Sequence, residues 1–369
     1  MLIHIIAAAR PNFMKVAPLY HALKDKQWCK IKIIHTGQHY DANMSDSFFS
    51  DLMLPQPDVH LGIGSGSHAE QTGKTMIAYE KILFNDPPDL VIVVGDVNAT
   101  MAVTIAAAKM GIRVAHLEAG LRSFDRSMPE EINRIVTDSL ADILWTPSAD
   151  GDVNLKKEGI AENKIIHVGN IMIDSLELLR NRIEKNAYYK QLNLSNNNYG
   201  VVTLHRPSNV DQCETLERLS NILVRISKKI PLIFPVHPRT RKSLEKYNLY
   251  QILDNEKRIM TVEPLSYIDF MSLIFNCSFT ITDSGGIQEE TTYLKIPCFT
   301  LRPNTERPIT VEIGTNQLCD INNIEERVVN LIRHGVPQSS IPELWDGKVA
   351  DRIADYIEKT FVQLNGAQN

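Results

Sequence analysis

Leu90-Val91-Ile92-Val93-Val94-Gly95-Asp96-Val97-Asn98 sets five consecutive apolar residues, four of them β-branched, against an abruptly polar tip. A strand with no polar residue on either face must have both faces covered, as in a parallel sheet flanked by helices. Outward from it, Leu2 to Ala7, Lys32 to Thr36 and Val114 to Leu117 repeat the short apolar run, with helical patterns between them. That alternation is the mark of βαβ units, so the first half reads as doubly wound α/β.

A helical stretch from about Ile171 to Asn186 and the polar segment Asn193-Leu194-Ser195-Asn196-Asn197-Asn198 precede a fresh strand at Tyr199 to Leu204. Further strands are expected at Leu232 to Pro235, Ile259 to Val262, Phe279 to Thr282 and Pro297 to Thr300, with helices such as Ile268 to Phe275 between them. A chain of 369 residues is long enough for two cores. The division is placed near residue 170, giving two Rossmann-like domains, 1–170 and 171–349. A last helical segment, Val349 to Leu364, can cap either.

A net charge of −5 supplies no basic field, so nucleic acid and membrane surfaces are not expected partners. The five cysteines, Cys29, Cys213, Cys277, Cys298 and Cys319, are odd in number, scattered, and never in a C-x-x-C pair. They fit a reducing cytoplasm better than a disulfide framework or a structural zinc site. The run from Leu2 to Ile6 ends far short of a membrane span and is read as the first buried strand.

In doubly wound sheets ligands sit at the carboxyl ends of the strands. Here those tips are polar: Ala9-Arg10-Pro11-Asn12 with Lys15 beyond, Gly95-Asp96-Val97-Asn98, Glu118-Ala119-Gly120-Leu121-Arg122, His205-Arg206-Pro207-Ser208-Asn209, and Asp283-Ser284-Gly285-Gly286-Ile287-Gln288-Glu289-Glu290. A strand-end acid can be a helix cap, and a loop arginine a solvated charge. Five such tips in both halves point to one cleft.

Asp283-Ser284-Gly285-Gly286 opening a helix suits a phosphate: glycines let the backbone approach, and first-turn N–H groups face the anion. A tight turn capped by Ser284 is the plainer alternative. Glu289 and Glu290 suit the helix dipole, but beside a diphosphate they need another task, such as accepting from ribose hydroxyls. Pro129-Glu130-Glu131-Ile132-Asn133-Arg134 reads as a helix start, in which Glu130 either pairs with Arg134 or returns to the cleft. Gly62-Ile63-Gly64-Ser65-Gly66-Ser67 only resembles a dinucleotide fingerprint, since Ser67 stands where the third glycine belongs. No P-loop is present, no nicotinamide cofactor is expected, and His39, His205 and His237 lack metal-ligand spacing, so no metal is expected either. His237 in Pro235-Val236-His237-Pro238 also reads as a constrained loop histidine.

Ala9-Arg10-Pro11, Thr36-Gly37-Gln38-His39, Gly95-Asp96, His116 to Arg122, Pro129 to Arg134, Thr282 to Glu290 and Thr305-Glu306-Arg307-Pro308 occur in this order. In this the chain resembles the non-hydrolysing UDP-N-acetylglucosamine 2-epimerases over essentially its whole length. The resemblance implies a glycosyltransferase-B-like α/β fold with the active-site cleft between two Rossmann-like domains. It implies a homodimer, and a C-terminal helix, 350–365, packed back on the first domain. It further implies that Arg10, Ser284, Gly285, Gly286 and Glu290 hold UDP, with Phe270 near the uracil. By the same match Asp96, Glu118, Glu130 and His205 are the catalytic set, and Lys15 lies close to them.

Chemistry favours such a set. The C2 proton of a 2-acetamido sugar is not next to a carbonyl, and without a nicotinamide no transient oxidation acidifies it. Elimination is then the route: a carboxylate takes the C2 proton as UDP leaves C1, and readdition of UDP with protonation on the other face inverts C2. Cations such as Arg10, with Lys15 and Arg307, would steady the departing diphosphate. The chain departs from the pattern in places. Members regulated by a second substrate molecule carry a glutamine where Asp41 stands, and the tips at Asp96 and His205 look like those of the branch that includes epimerases of UDP-2,3-diacetamido-glucuronate. The expected function is therefore interconversion of UDP-N-acetylglucosamine and UDP-N-acetylmannosamine for surface polysaccharide synthesis. The alternatives are that related sugar, a hydrolysing epimerase, a glycosyltransferase of the same architecture, or a sensor without turnover.

Overall fold

The computed structural model describes residues 1–8, 10–37 and 51–363. The chain forms two compact units, Met1–Leu178 with the chain from Glu343 on, and Leu179–Pro342. The first is built on a seven-stranded sheet: β1 (Leu2–Ala7), β2 (Lys30–His35), β3 (Val59–His60), β4 (Leu90–Val94), β5 (Val114–Leu117), β6 (Ile143–Thr146) and β7 (Ile165–His167). Its order is β3-β2-β1-β4-β5-β6-β7, and the pairings are parallel. Every residue of β4 is buried, as its uninterrupted apolar run requires. Helices Asn98–Lys109 and His68–Asn85 supply part of the cover, with Val103, Ala107, Tyr79 and Leu83 packed in one cluster with Val91 and Val93.

The second unit has a six-stranded parallel sheet: β8 (Gly200–Thr203), β9 (Leu232–Pro235), β10 (Ile259–Val262), β11 (Phe279–Thr282), β12 (Cys298–Leu301) and β13 (Asn316–Cys319), in the order β10-β9-β8-β11-β12-β13. Helix Cys213–Ser227 shows why sequence and packing agree. Leu216, Leu219, Leu223 and Ile226 recur at helical spacing and are buried together against this sheet. Each such side chain contributes about 1.5–3 kcal/mol.

In both sheets the strand order reverses once, between β1 and β4 and between β8 and β11. At such a reversal the crossover helices diverge to opposite faces and leave a crevice at the carboxyl ends. The first crevice lies beside the tips of β1 and β4, with β5 next to β4; the second lies beside Leu204-His205 and Asp283-Ser284. Strands β3, β6, β7 and β13 were not among those expected. They are two to four residues long, and β3, β7 and β13 are edge strands. The glycine-rich stretch from Gly62 follows the two-residue β3 and ends in a capping box: Ser67 and Glu70 satisfy each other's backbone N–H at the start of helix His68–Asn85.

Helix Val349–Ile357 belongs to the first unit, where it packs against helix Arg10–Leu23. Its first N–H groups, of Val349 and Ala350, donate to the Asp174 carboxylate at 3.1 and 2.8 Å. No helix among the described residues is long and apolar enough to cross a membrane.

Candidate functional site

Three strand tips meet at the crevice of the first sheet. Asn12, one turn into helix Arg10–Leu23, donates its side-chain N–H to the Val94 carbonyl at 3.1 Å and so ties the β1 tip to the end of β4. Lys15, on the same helix, forms a buried ion pair with Glu118 just after β5. Gly95 turns with φ +68°; a Cβ there would stand 3.1 Å from Lys15 Nζ and 3.6 Å from Glu118 Oε2. The backbone reaches the ion pair because this residue has no side chain. Glu118 adopts φ +73°, a left-handed conformation rare outside glycine and asparagine. Its N–H and that of Ala119 both donate to the Trp145 carbonyl at 3.1 Å, which holds the turn. Its Oε1 is buried and has no hydrogen-bond partner among the described residues.

Asp96 is half-buried and accepts from Arg134 through Nε at 3.1 Å and Nη2 at 2.6 Å. Arg134 also bonds Glu131 at 2.8 Å. The Glu130–Arg134 pairing that helical spacing allows is therefore replaced by Glu131, whose oxygens further accept from the Ser123 and Phe124 N–H groups. Glu130 stands half-buried in the first turn of helix Pro129–Leu140. Gln38, His39 and Asp41 lie outside the described residues, as does the Arg10 side chain.

At the second crevice Asp283 is fully buried and gathers the β8 tip. Its carboxylate accepts from the N–H of His205 at 3.0 Å and of Arg206 at 2.9 Å, and from Asn209 Nδ2 at 3.0 Å, while His205 Nδ1 lies 2.8 Å away. Burial pushes this carboxyl up, but His205, Asn209 and the Arg206 N–H outweigh it and hold it below the ordinary carboxylate range. The His205 and His237 ring centres lie 5.4 Å apart with the rings tilted 44° to one another, and His237 Nδ1 accepts from Arg239 N–H at 3.2 Å.

Ser284 occupies the N-cap of helix Gly285–Leu294, yet its hydroxyl makes no capping bond. A Cβ on Gly285 would meet Arg307 and Glu306 at 2.8 Å, whereas one on Gly286 would meet nothing within 4 Å. Arg307 pairs with Glu289 at 2.8 Å and with Glu306, which Arg302 also holds at 2.7 Å. Glu290 accepts from the Tyr267 hydroxyl at 2.7 Å. Burial drives its carboxyl up to about 7, the neighbouring Glu289 adding to the rise and the Tyr267 bond opposing it. Phe270, half-buried, is on the same helix as Tyr267, Tyr267–Phe275.

The family described as UDP-N-acetylglucosamine 2-epimerase matches residues 21–358. The chain belongs to this family. Its similarity to the UDP-N-acetylglucosamine 2-epimerase of Methanocaldococcus jannaschii is 45% identity over 341 residues, 90% of this chain and 91% of that protein. The UDP-2,3-diacetamido-2,3-dideoxy-D-glucuronate 2-epimerase of Pseudomonas aeruginosa is 35% identical over 97% of this chain and 100% of its own. Among solved structures, that of the M. jannaschii epimerase in complex with UDP-GlcNAc and UDP has a TM-score of 0.87 at 42% identity, covering 97% of this chain and 100% of that one. That fold is the two-sheet, glycosyltransferase-B-like α/β architecture of these epimerases.

Reading the strand tips leaves out Asp138, which accepts from the Gly120 N–H at 3.0 Å, and Tyr267, which donates to Glu290. Asp138 lies in its helix beyond the Pro129–Arg134 start that the sequence marks, and Tyr267 sits at the first position of its helix. Neither carries a local signal; each is recruited by a neighbouring element.

Proposed function

We infer that this chain is an isomerase of the non-hydrolysing kind, interconverting UDP-N-acetylglucosamine and UDP-N-acetylmannosamine. The observation that carries the reading is Glu118: a carboxylate held by Lys15 on a left-handed backbone, with its second oxygen buried and without a hydrogen-bond partner among the described residues. Buried polar atoms are nearly always satisfied, and strained, unsatisfied groups concentrate where a substrate completes them. One carboxylate removes the C2 proton as the C1–O bond to UDP breaks, leaving a 2-acetamidoglucal. UDP then re-adds at C1 while a proton is delivered to the opposite face of C2. Asp96, Glu118 and Glu130 are the proton carriers, with His205 placing the UDP.

The second unit is the UDP-binding one. Its diphosphate lies against Ser284, Gly285 and Gly286 with Arg307 nearby, Glu290 accepts from the ribose, and Phe270 lies near the uracil. Arg10 and Lys15 are further cations for the diphosphate. The Ser284 hydroxyl, which makes no capping bond, and the open space at Gly286 support this. The enzyme acts as a homodimer in the cytoplasm, the latter supported by five cysteines that are all free, and serves surface polysaccharide synthesis.

Incubation with UDP-N-acetylglucosamine in deuterated water is expected to exchange the C2 hydrogen and yield the epimer, with little free UDP by phosphorus NMR. Exchange only with UDP-2,3-diacetamido-glucuronate would transfer the reading to that sugar, whose epimerase is the Pseudomonas relative. Stoichiometric UDP release would mean a hydrolysing enzyme, and no exchange with either sugar would overturn the epimerase reading. Asp96→Asn, Glu118→Gln and Glu130→Gln should each keep UDP binding and lose exchange.

A further inference from the structure

Asp138 lies on helix Pro129–Leu140 with its carboxylate fully enclosed, and three donors converge on it. Oδ1 is 2.6 Å from Nδ1 of His116, itself completely buried on β5. Oδ2 accepts from the Gly120 N–H at 3.0 Å and from Arg122 Nη2 at 2.8 Å. The other ring nitrogen of His116, Nε2, is 2.9 Å from the carbonyl oxygen of Gly95. The ring thus stands between a carboxylate and a carbonyl, and a carbonyl can only accept.

A neutral ring satisfies both contacts only if Asp138 itself carries a proton. The surroundings oppose that. Apart from His116, the Arg122 guanidinium and the Gly120 N–H both donate to Oδ2, and a cation and an N–H donor favour the ionised carboxylate. Arg122 is in turn gripped by Glu158 through Nε at 2.8 Å and Nη2 at 2.7 Å. With His116 doubly protonated, two cations and two carboxylates balance in this largely enclosed group. With a neutral ring beside an ionised Asp138, one negative charge is left over.

We propose that His116 is held as an imidazolium between Asp138 and Gly95, and that this pair is a positioning device locking the Asp96 tip to the Glu118 tip. Gly95 immediately precedes Asp96, and Gly120 lies two residues beyond Glu118. One side-chain pair fastens both, through the Gly95 carbonyl and the Gly120 N–H. Gly95 also lies against the Lys15–Glu118 pair, so a small displacement of its backbone moves that pair as well. Gly120 has φ +80°, and a Cβ there would fall 2.5 Å from the Gly151 carbonyl oxygen, so the second anchor has little room to shift. The positioning role rests on the reading of Asp96 and Glu118 as proton carriers, whereas the charge of His116 does not.

The test has two arms. Long-range proton–nitrogen NMR spectra of histidine-labelled wild type, with His116→Gln identifying the signals, should show both ring nitrogens of His116 protonated at neutral pH. A singly protonated ring overturns the proposal. In the second arm Asp138→Asn should lower kcat and C2 deuterium exchange about 100-fold, with KM and UDP affinity within about twofold. Leu83→Ala, a core truncation on helix His68–Asn85, reports what lost stability does alone and should lower Tm without that kcat loss. A kcat loss in Asp138→Asn no larger than in Leu83→Ala at matched Tm overturns the positioning role. If Asp138→Asn does not fold, His116→Gln is assayed the same way. If wild type exchanges no C2 hydrogen, the functional reading falls and takes the positioning role with it, while the spectrum still decides the charge of His116.

Discussion

Replacing Glu290 by glutamine isolates the free energy of ionising a carboxyl inside the second unit. Glu290 is buried, keeps a 2.7 Å bond from the Tyr267 hydroxyl, and adjoins Glu289 in sequence. Its folded carboxyl titrates near 7 against an ordinary 4.5, a difference worth about 3 kcal/mol between its protonated and ionised forms. The folded value lies above the unfolded one, so the native state keeps a proton that the unfolded chain has released. The associated stability is fully present below about pH 4.5 and is lost as pH rises to about 7. Glutamine can still accept from Tyr267 but cannot ionise. Urea denaturation of wild type and Glu290→Gln, followed in the second unit, should therefore give similar stabilities near pH 5. By pH 8 the variant should be the more stable by up to about 3 kcal/mol. Taking the difference between the two proteins cancels the titrating groups that do not interact with Glu290. A difference that stays constant from pH 5 to pH 8 would show that Glu290 is ionised in the folded protein throughout, and the burial argument would be wrong.

Two further outcomes follow from the same crevice. Gly286→Ala adds a methyl group where nothing lies within 4 Å, so stability should hold or rise by up to about 1 kcal/mol of helix propensity, while UDP affinity measured by calorimetry falls; unchanged affinity would remove the phosphate from this turn. Asp283→Asn turns an amide toward the donors that now meet a carboxylate and should cost about 2–4 kcal/mol at pH 7. Because the Asp283 carboxyl is held below its ordinary value, its contribution is present above about pH 4 and is lost as pH falls through the lower folded value. The variant's deficit should therefore shrink in acid, and a deficit independent of pH would contradict the charge-based account.

Strand β4 is legible because burial on both faces leaves it no choice but apolar residues, and its tip turns polar within two positions, at Asp96. Strand β7 is not, since Ile165-Ile166-His167 is half-buried at a sheet edge and too short for periodicity to act. The acids after β4 and β5 could be picked out because strand ends in this architecture face ligands. Their supports could not. Arg134 has an acid three residues before it and another four before it, and helical geometry permits either pair. What selects Glu131 and Asp96 is the β4 tip arriving beside the helix. Asp138 likewise reads as one more helix-surface acid next to exposed Ser139, and only β5 passing alongside converts it into an enclosed anchor.

The helix Val349–Ile357 gives the order of synthesis a physical meaning. Asp174 is made 175 residues before the N–H of Val349 that it will accept. At ribosomal speeds of about 5–20 residues per second the interval lasts roughly 9 to 35 s. The whole of Leu179–Pro342 emerges in that time, while the first unit still exposes the apolar surface that Ile353, Ala354 and Ile357 will cover. The second half can thus complete its core on the ribosome before the first half can. A premature stop after Pro342 would accordingly injure the half of the protein that was translated first.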